Sequence, residues 1–392
     1  MDDRCAWMLF QEVFGFGTTR GQKALERVGH PSNWFALSPG DREKVLRLTS
    51  VEADRLRKAT PGRLEKIFKI CEDRRCAILT PDDEGYPDRL RQIYAPPAVL
   101  YVLGSLEDLD DTLCIAMVGT RHHSDYGRRV AEYIAGDLAS AGVTIVSGMA
   151  MGIDTICHQA ALRAAGRTIA VWGAGIDRPY PAANRDLARS IVEYGGAIVT
   201  EFPPGCDAFP YHFPIRNRII SGLCQGTVVV EGAPRSGSLI TAGHALTQDR
   251  DVFAVPGDVF SGLSQAPNWL ISQGAIMARD AGDILAQYGH LLWEDPAAEG
   301  KNARPPFDKP SGNGYNVPQG GKKDPAPVQT RLTEGLSDPQ RRVYDLLGTE
   351  PKSSDELTET SGLGVGLVLA TLTQLEIFGL VRVHPGRRFS RK

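Results

Sequence analysis

None of the seven cysteines, at positions 5, 71, 76, 114, 157, 206 and 224, stands in a C-x-x-C pair. Most lie in apolar runs, so they read as small core hydrophobes rather than metal ligands or disulfide partners. No stretch approaches the ~18 consecutive apolar residues that a membrane span requires. The opening MDDRCAW lacks a basic segment followed by an apolar one, so a cytoplasmic, soluble protein with no membrane partner is expected. Large charge excess is also missing, because 44 Lys and Arg stand against 47 Asp and Glu, a net of −3. A chain that coats duplex nucleic acid through bulk charge is excluded by that balance, and any nucleic-acid contact must come from locally clustered arginines.

Nucleotide chemistry is short of its usual signatures too. There is no Walker A sequence. Gly119 is followed by Arg121, and Gly173-Ala174-Gly175 by Arg178, where a dinucleotide fingerprint would need its glycines. Neither a Ser-His-Asp arrangement nor metal-ligand spacing occurs, so no cofactor is expected.

What the 392 residues do contain is enough apolar content, 42%, for two or three domains. Residues 1–75 read as several short helices, with Trp7, Leu9, Phe10 and Val13 on one segment and turns at Gly15-Phe16-Gly17 and Gly29-His30-Pro31. The Gly15–Gly17 turn has two readings, a helix-hairpin-helix that holds a phosphate and a plain packing turn, and the second is preferred. Residues 76–111 form a proline-punctuated connector ending in the strand-like Val99 to Leu103, expected to pack on the next domain.

Residues 112–290 carry six apolar runs: Cys114 to Val118, Val143 to Ser147, Thr168 to Trp172, Ala197 to Thr200, Thr227 to Glu231 and Val252 to Val255. Helical segments alternate with them, such as 126–141, where Val130, Ile134 and Leu138 repeat at i+4. That alternation predicts a doubly wound parallel α/β sheet, whose ligands sit at the carboxyl ends of the strands. The residues found there are small: Gly119-Thr120-Arg121, Ser147-Gly148, Gly173-Ala174-Gly175 and Arg235-Ser236-Gly237-Ser238. With the last group opening a helix, its free amides and Arg235 form a phosphate cradle. Arg216, Asn217 and Arg218 lie just upstream, on a helix whose stripe is Ile215, Ile219 and Leu223. Arginines so spread suit a chain of phosphates better than a single anion. Glu201 and Glu231 are expected to pair with Arg121, Arg216 or Arg218, and His158 to make a helix-start contact one turn after Asp154.

Residues 291–336, rich in Pro, Gly, Asn and Lys, read as a flexible linker, and 337–392 as three helices and a hairpin of winged-helix type. Its third helix, 365–378, is apolar at Leu367, Val368, Leu369, Leu372 and Leu375, with Thr371, Thr373, Gln374 and Glu376 as its polar positions. Basic residues gather instead at Arg382, Arg387, Arg388, Arg391 and Lys392. Sequence-specific duplex reading is therefore not expected.

V-G-T-R at 118–121, S-G-M-A-M-G-I-D at 147–154, G-A-G-I-D at 173–177, Y-P-x-x-N at 180–184, E-F-P-P-G at 201–205, F-P-x-R-N-R-I-I-S-G-L at 213–223 and R-S-G-S-L-I-T-A at 235–242 follow one another in order. The chain resembles the DNA-processing protein A family (DprA/Smf) across this whole domain. The resemblance implies an extended Rossmann-like fold with an N-terminal SAM-like helical domain and a C-terminal winged helix. It also implies a non-enzymatic, homodimeric single-stranded DNA-binding protein that protects incoming DNA in natural transformation and loads the RecA recombinase. Family contacts map to Arg121, Ser147, Gly148, Gly173, Asn184, Arg216, Asn217, Arg218 and Arg235, joined by the small residues Gly119, Thr120, Ser236, Gly237 and Ser238. Met151 and Ala182 stand where relatives carry basic residues, with Arg178 and Arg185 close enough in sequence to compensate. Residues 268–276, with Trp269, Leu270 and Ile271, are the expected dimer contact. The alternatives are a nucleotide-processing enzyme of related fold and a winged-helix transcription regulator.

Overall fold

A computed structural model describes residues 2–289 and, in the C-terminal part, 338–348, 351–361, 363, 368, 371, 372, 375, 381–384 and 388–391. The described residues fall in two compact units, one within Met1–Lys301 and the other within Asn302–Lys392. The expected linker, the polar positions Thr373, Gln374 and Glu376, and Arg387 and Lys392 lie outside the described residues.

Six helices open the first unit: α1 (Asp3–Phe14), α2 (Thr19–Val28), α3 (Pro31–Ala36), α4 (Pro39–Leu46), α5 (Ser50–Lys58) and α6 (Pro61–Arg74). Trp7, Leu9, Phe10 and Val13 are buried as their spacing predicts, and Phe10, Phe14 and Trp34 pack ring against ring. The Gly15–Gly17 turn packs against the α/β part of the unit. Phe16 lies against Phe202 at 4.7 Å between ring centroids, and a Cβ on Gly17 would stand 2.7 Å from Ile215.

The connector contributes more than an expected packing segment. It supplies β1 (Ala77–Leu79), the short helix α7 (Asp88–Arg91) and β2 (Leu100–Gly104), and β2 pairs antiparallel with a strand of the main sheet. Then come β3 (Cys114–Val118), α8 (Asp125–Ser140), β4 (Thr144–Ser147), α9 (Ile153–Arg163), β5 (Thr168–Val171), α10 (Arg185–Glu193), β6 (Ala197–Thr200), α11 (His212–Gly222), β7 (Gly226–Val229), α12 (Gly237–Thr247), β8 (Asp251–Ala254), α13 (Gln265–Ser272), β9 (Ile276–Met277) and α14 (Ala281–Leu285).

The strand order is β1-β2-β6-β5-β4-β3-β7-β8-β9, and every pairing from β6 to β9 is parallel. All six expected strands are present, and β3 to β7 are buried along their whole length, because helices cover both faces. The fold is thus Rossmann-like, with an antiparallel pair added at one edge. The order reverses between β3 and β7, which opens a crevice at their carboxyl ends.

In the second unit, helices Asp338–Leu346 and Ser354–Ser361 stand with a three-stranded sheet of Lys352–Ser353, Arg388–Arg391 and Val381–His384. Val343, Leu357, Val368, Leu372, Leu375 and Phe389 form its separate core. Arg382, Arg388 and Arg391 are exposed, and Arg391 lies over the Tyr344 ring at 4.3 Å.

Candidate nucleic-acid interface

A cleft of about 630 Å³ occupies the crevice between β3 and β7. The turn after β3 brings Gly119, Thr120 and Arg121 to one wall, and the turn after β7 brings Arg235, Ser236, Gly237 and Ser238 to the other. Arg121 and Arg235 are exposed. Between them stand Phe213, Arg216 and Asn217 of α11, with Tyr180 beside them.

Each wall is built by local constraints. At Gly119 a Cβ would press within 2.9 Å of three Ile153 atoms, so only glycine lets α9 approach β3 this closely. Thr120 donates its amide to the Glu231 carbonyl at 2.9 Å, which ties the β3 turn to the end of β7. Ser236 makes no side-chain cap, and the first amides of α12, at Gly237 and Ser238, are left for an outside acceptor. The Ser236 and Ser238 hydroxyls bond each other at 2.5 Å, and Asn217 Nδ2 donates to the Gly237 carbonyl at 3.2 Å.

Phe213 organises the charge. The Arg121 guanidinium lies 5.4 Å from its ring centroid and that of Arg216 5.9 Å, while the Tyr180 ring packs at 5.5 Å. Arg216 is only 4% exposed; its Nη1 donates to the carbonyls of Gly148 and Val171, and its Nε has no partner. Burial, opposed by Asp154 and reinforced by Arg121, pulls its pKa down to about 10, so it stays charged at neutral pH. Asp154, buried beside it, is pushed up by burial, while Arg216 and the donated amides of Ala150 and Gly148 act in the other direction.

Five of the expected contact residues do not line this cleft: Ser147, Gly148, Gly173, Asn184 and Arg218. Ser147 is fully buried and donates its hydroxyl to the Met117 carbonyl at 2.6 Å. The Gly148 amide is spent on Asp154 at 3.1 Å. Gly173 receives His212 on its carbonyl, and a Cβ there would stand 3.1 Å from Phe213. Asn184 donates to the Met149 carbonyl and to Thr155 Oγ1, at 2.9 and 2.8 Å. These four make bonds that join neighbouring turns and helices.

Arg218 is committed differently. Its Nη1 and Nη2 donate to both Glu201 oxygens at 2.6 and 2.8 Å and its Nε to the Ala95 carbonyl at 3.0 Å, so one buried ion pair ties α11 to the end of β6 and a hydrogen bond adds the connector. The expected pairing of Glu201 is therefore found. That of Glu231 is not: its carboxylate accepts the Ser124 hydroxyl and amide instead. His158 differs as well, since Nδ1 bonds Thr168 Oγ1 at 2.7 Å rather than Asp154. Arg178 and Arg185, close in sequence to the positions that could need compensation, do not line the cleft. Arg178 stands near Asp177 and Asp207 at 3.6 and 3.8 Å, and Arg185 lines a separate cavity with Trp172 and Arg189.

Sequence reasoning passed over Phe213 and Tyr180 as side chains, although both stand in the quoted F-P-x-R-N-R and Y-P-x-x-N segments. Their signal was an aromatic set beside polar motif residues, Phe213 three residues before Arg216 at the start of α11 and Tyr180 in the long turn after β5.

The model of the DNA recombination-mediator protein A family matches residues 77–289, and that of the DprA winged helix domain residues 325–387. Protein Smf of Escherichia coli is 39% identical over 311 residues, 79% of this chain and 76% of the relative. DNA processing protein DprA of Bacillus subtilis is 44% identical over 225 residues, 57% and 75% of the two chains. The crystal structure of DprA from Streptococcus pneumoniae superposes with a TM-score of 0.57 at 35% identity, covering 69% of this chain and 98% of that one. A DNA processing protein A from Helicobacter pylori, described for its single-stranded DNA binding mode, gives 0.50 at 26% identity over 55% and 96%. On the family match, the length of chain covered and the shared Rossmann-like fold with a winged helix, this protein belongs to the DNA recombination-mediator protein A (DprA/Smf) family.

Proposed function

We propose that the β3–β7 cleft holds the backbone of single-stranded DNA, and that the protein protects such strands and loads the RecA recombinase onto them in natural transformation. The observation that carries this reading is the pair of exposed cations, Arg121 and Arg235, on opposite walls of one open cleft around the Phe213 and Tyr180 rings. Cations spaced along a groove hold successive phosphates, and aromatic faces take bases without regard to sequence. Arg216 adds positive potential from the floor, Asn217 braces the α12 turn, and the Gly237 and Ser238 amides complete the second phosphate site.

A binding rather than a catalytic role agrees with the fate of the acids. Glu231 is held by Ser124, Glu201 by Arg218, and Asp154 accepts two backbone amides. No group of three or more His, Cys, Asp or Glu side chains suited to a metal occurs among the described residues. No helix there is long and apolar enough to cross a membrane. For the homodimer we propose the face of α13, where Trp269 is 53% exposed while Leu270 is buried beneath it; Ile276 of the same segment pairs into the sheet as part of β9.

Titration of short single- and double-stranded oligonucleotides across salt, on the wild type and Arg121→Ala, tests the reading. Single strands are expected to bind more tightly, and Arg121→Ala to weaken them about tenfold, or ~1.4 kcal/mol. Equal affinity for duplex, or an unaffected variant, would overturn it.

A further inference from the structure

We propose that the N-terminal helices form a second stretch of the DNA track, so that a strand leaving the cleft crosses the stacked rings of Phe209 and Tyr211 and continues along a groove lined by Arg55, Lys58 and Arg63. This rests on the reading of the cleft given above, and extends it to the helical region.

The groove, about 630 Å³, lies between the N-terminal helices and the turn after β6. It adjoins the cleft across one piece of chain. Pro210, Phe213 and Pro214 face the cleft, while Tyr211, His212 and Ile215 face the groove, so the N-terminal turn of α11 is the divide between them. On that divide Phe209 and Tyr211 stack nearly parallel, 5.6 Å apart at 11°, and stay 44% and 62% exposed. Two parallel rings open to water offer a face to a base, whatever its identity.

Two of the cations on the far side, Arg55 and Lys58, are available, while Arg63 is held by Glu12. Arg55 has no carboxylate within ion-pair distance and makes one long bond, 3.4 Å, to the Val13 carbonyl. Lys58 pairs with Asp54 at 2.7 Å, but the two side chains are 69% and 50% exposed, and a pair so hydrated is worth little and exchanges readily for a phosphate. Glu12 is the acid on the groove wall, and Arg63 covers it at 3.1 Å. Exposed aromatics beside cations, next to a cleft of the same make-up, match a strand of bases and phosphates. A peptide would need hydrogen-bonding edges that the prolines at 203 and 204 do not supply.

The test uses the full chain and oligothymidylates of about 5 and about 20 nucleotides, lengths that fill one site and overrun it. The triple variant Arg55→Ala, Lys58→Ala, Tyr211→Ala should bind the short strand within twofold of wild type and the long one about tenfold more weakly. Its salt dependence on the long strand should flatten by about 1.4, the share of two phosphates. Lys58→Glu alone, at an exposed position, should give a smaller loss in the same direction, which separates the effect from misfolding. Unchanged long-strand affinity in both variants, or equal losses on both lengths, would overturn the proposal. If instead Arg121→Ala leaves the short strand unaffected, it is the cleft reading that fails.

Discussion

A guanidinium taken out of water must find carbonyl or carboxylate partners, and α11 offers its two arginines different ones. Arg218 has both Glu201 oxygens, at 1% exposure, so removing the arginine leaves a buried carboxylate uncompensated. Arg218→Ala is therefore expected to cost about 3–5 kcal/mol in denaturant unfolding, with short-strand affinity unchanged in the fraction that stays folded. A variant that unfolds normally but binds weakly would return Arg218 to the ligand site. His158 makes a second prediction at this scale. Thr168 donates its hydroxyl to the Ile145 carbonyl, so His158 Nδ1 carries the proton toward Thr168, while its buried Nε2 has no partner. Burial first, then Arg216, lowers its pKa from 6.5 to about 3. The unfolded chain thus binds the proton first on acidification, and stability falls from pH 6.5 downward by about 1.4 kcal/mol per unit. His158→Asn should remove His158's share of the slope between about pH 6.5 and 5, leaving that of His212 and His244, whose pKa values burial also lowers, as read from chemical unfolding at each pH.

Among the elements, α9 does the most to shape the cleft, because its first turn presses on the turn that carries Arg121. Gly152 has φ +88°, and a Cβ there would stand 2.6 Å from the Arg121 carbonyl oxygen. Alanine at 152 adopts that conformation only under strain of about 1–3 kcal/mol and pushes the Arg121 turn outward. Gly152→Ala is expected to lower the melting temperature and to weaken single-strand binding together; a loss of stability with full affinity would mean the turn does not depend on α9. Much of this layer was legible in the sequence. Strands buried on both faces read as unbroken apolar runs, which is why Cys114 to Val118 and its successors stood out, and small residues at their ends marked the crevice. The two-residue β9 is too short to announce itself, and β1 is too short as well. Ligand arginines could not be told from structural ones on α11, because that helix is buried nearly all round and its Ile215, Ile219, Leu223 stripe separates no wet face from a dry one. The acids at 201 and 231 end equivalent strands, yet only the chain crossing beside each, Arg218 for one and Ser124 for the other, decides its partner.

At the scale of the whole molecule, the net charge of −3 makes the number of cations at the site, not the overall field, set the salt dependence. With Arg218 sealed by Glu201, the cleft offers Arg121 and Arg235 at its surface and Arg216 beneath. Each phosphate neutralised on a single strand contributes about 0.7 to the slope of log affinity against log salt. A short strand confined to the cleft should therefore show a slope between about −1.4 and −2, shallower than four open arginines would give. The C-terminal unit has its own core and should not alter that number, so a chain ending after Gly289 is expected to reproduce both the slope and the affinity for short strands. A slope near −3 on the full chain that falls toward −1.4 on the shortened one would instead assign a phosphate contact to the exposed Arg382, Arg388 and Arg391 of the winged helix. Parallel titrations of the two chains across salt separate these outcomes, because the cleft residues are identical in both.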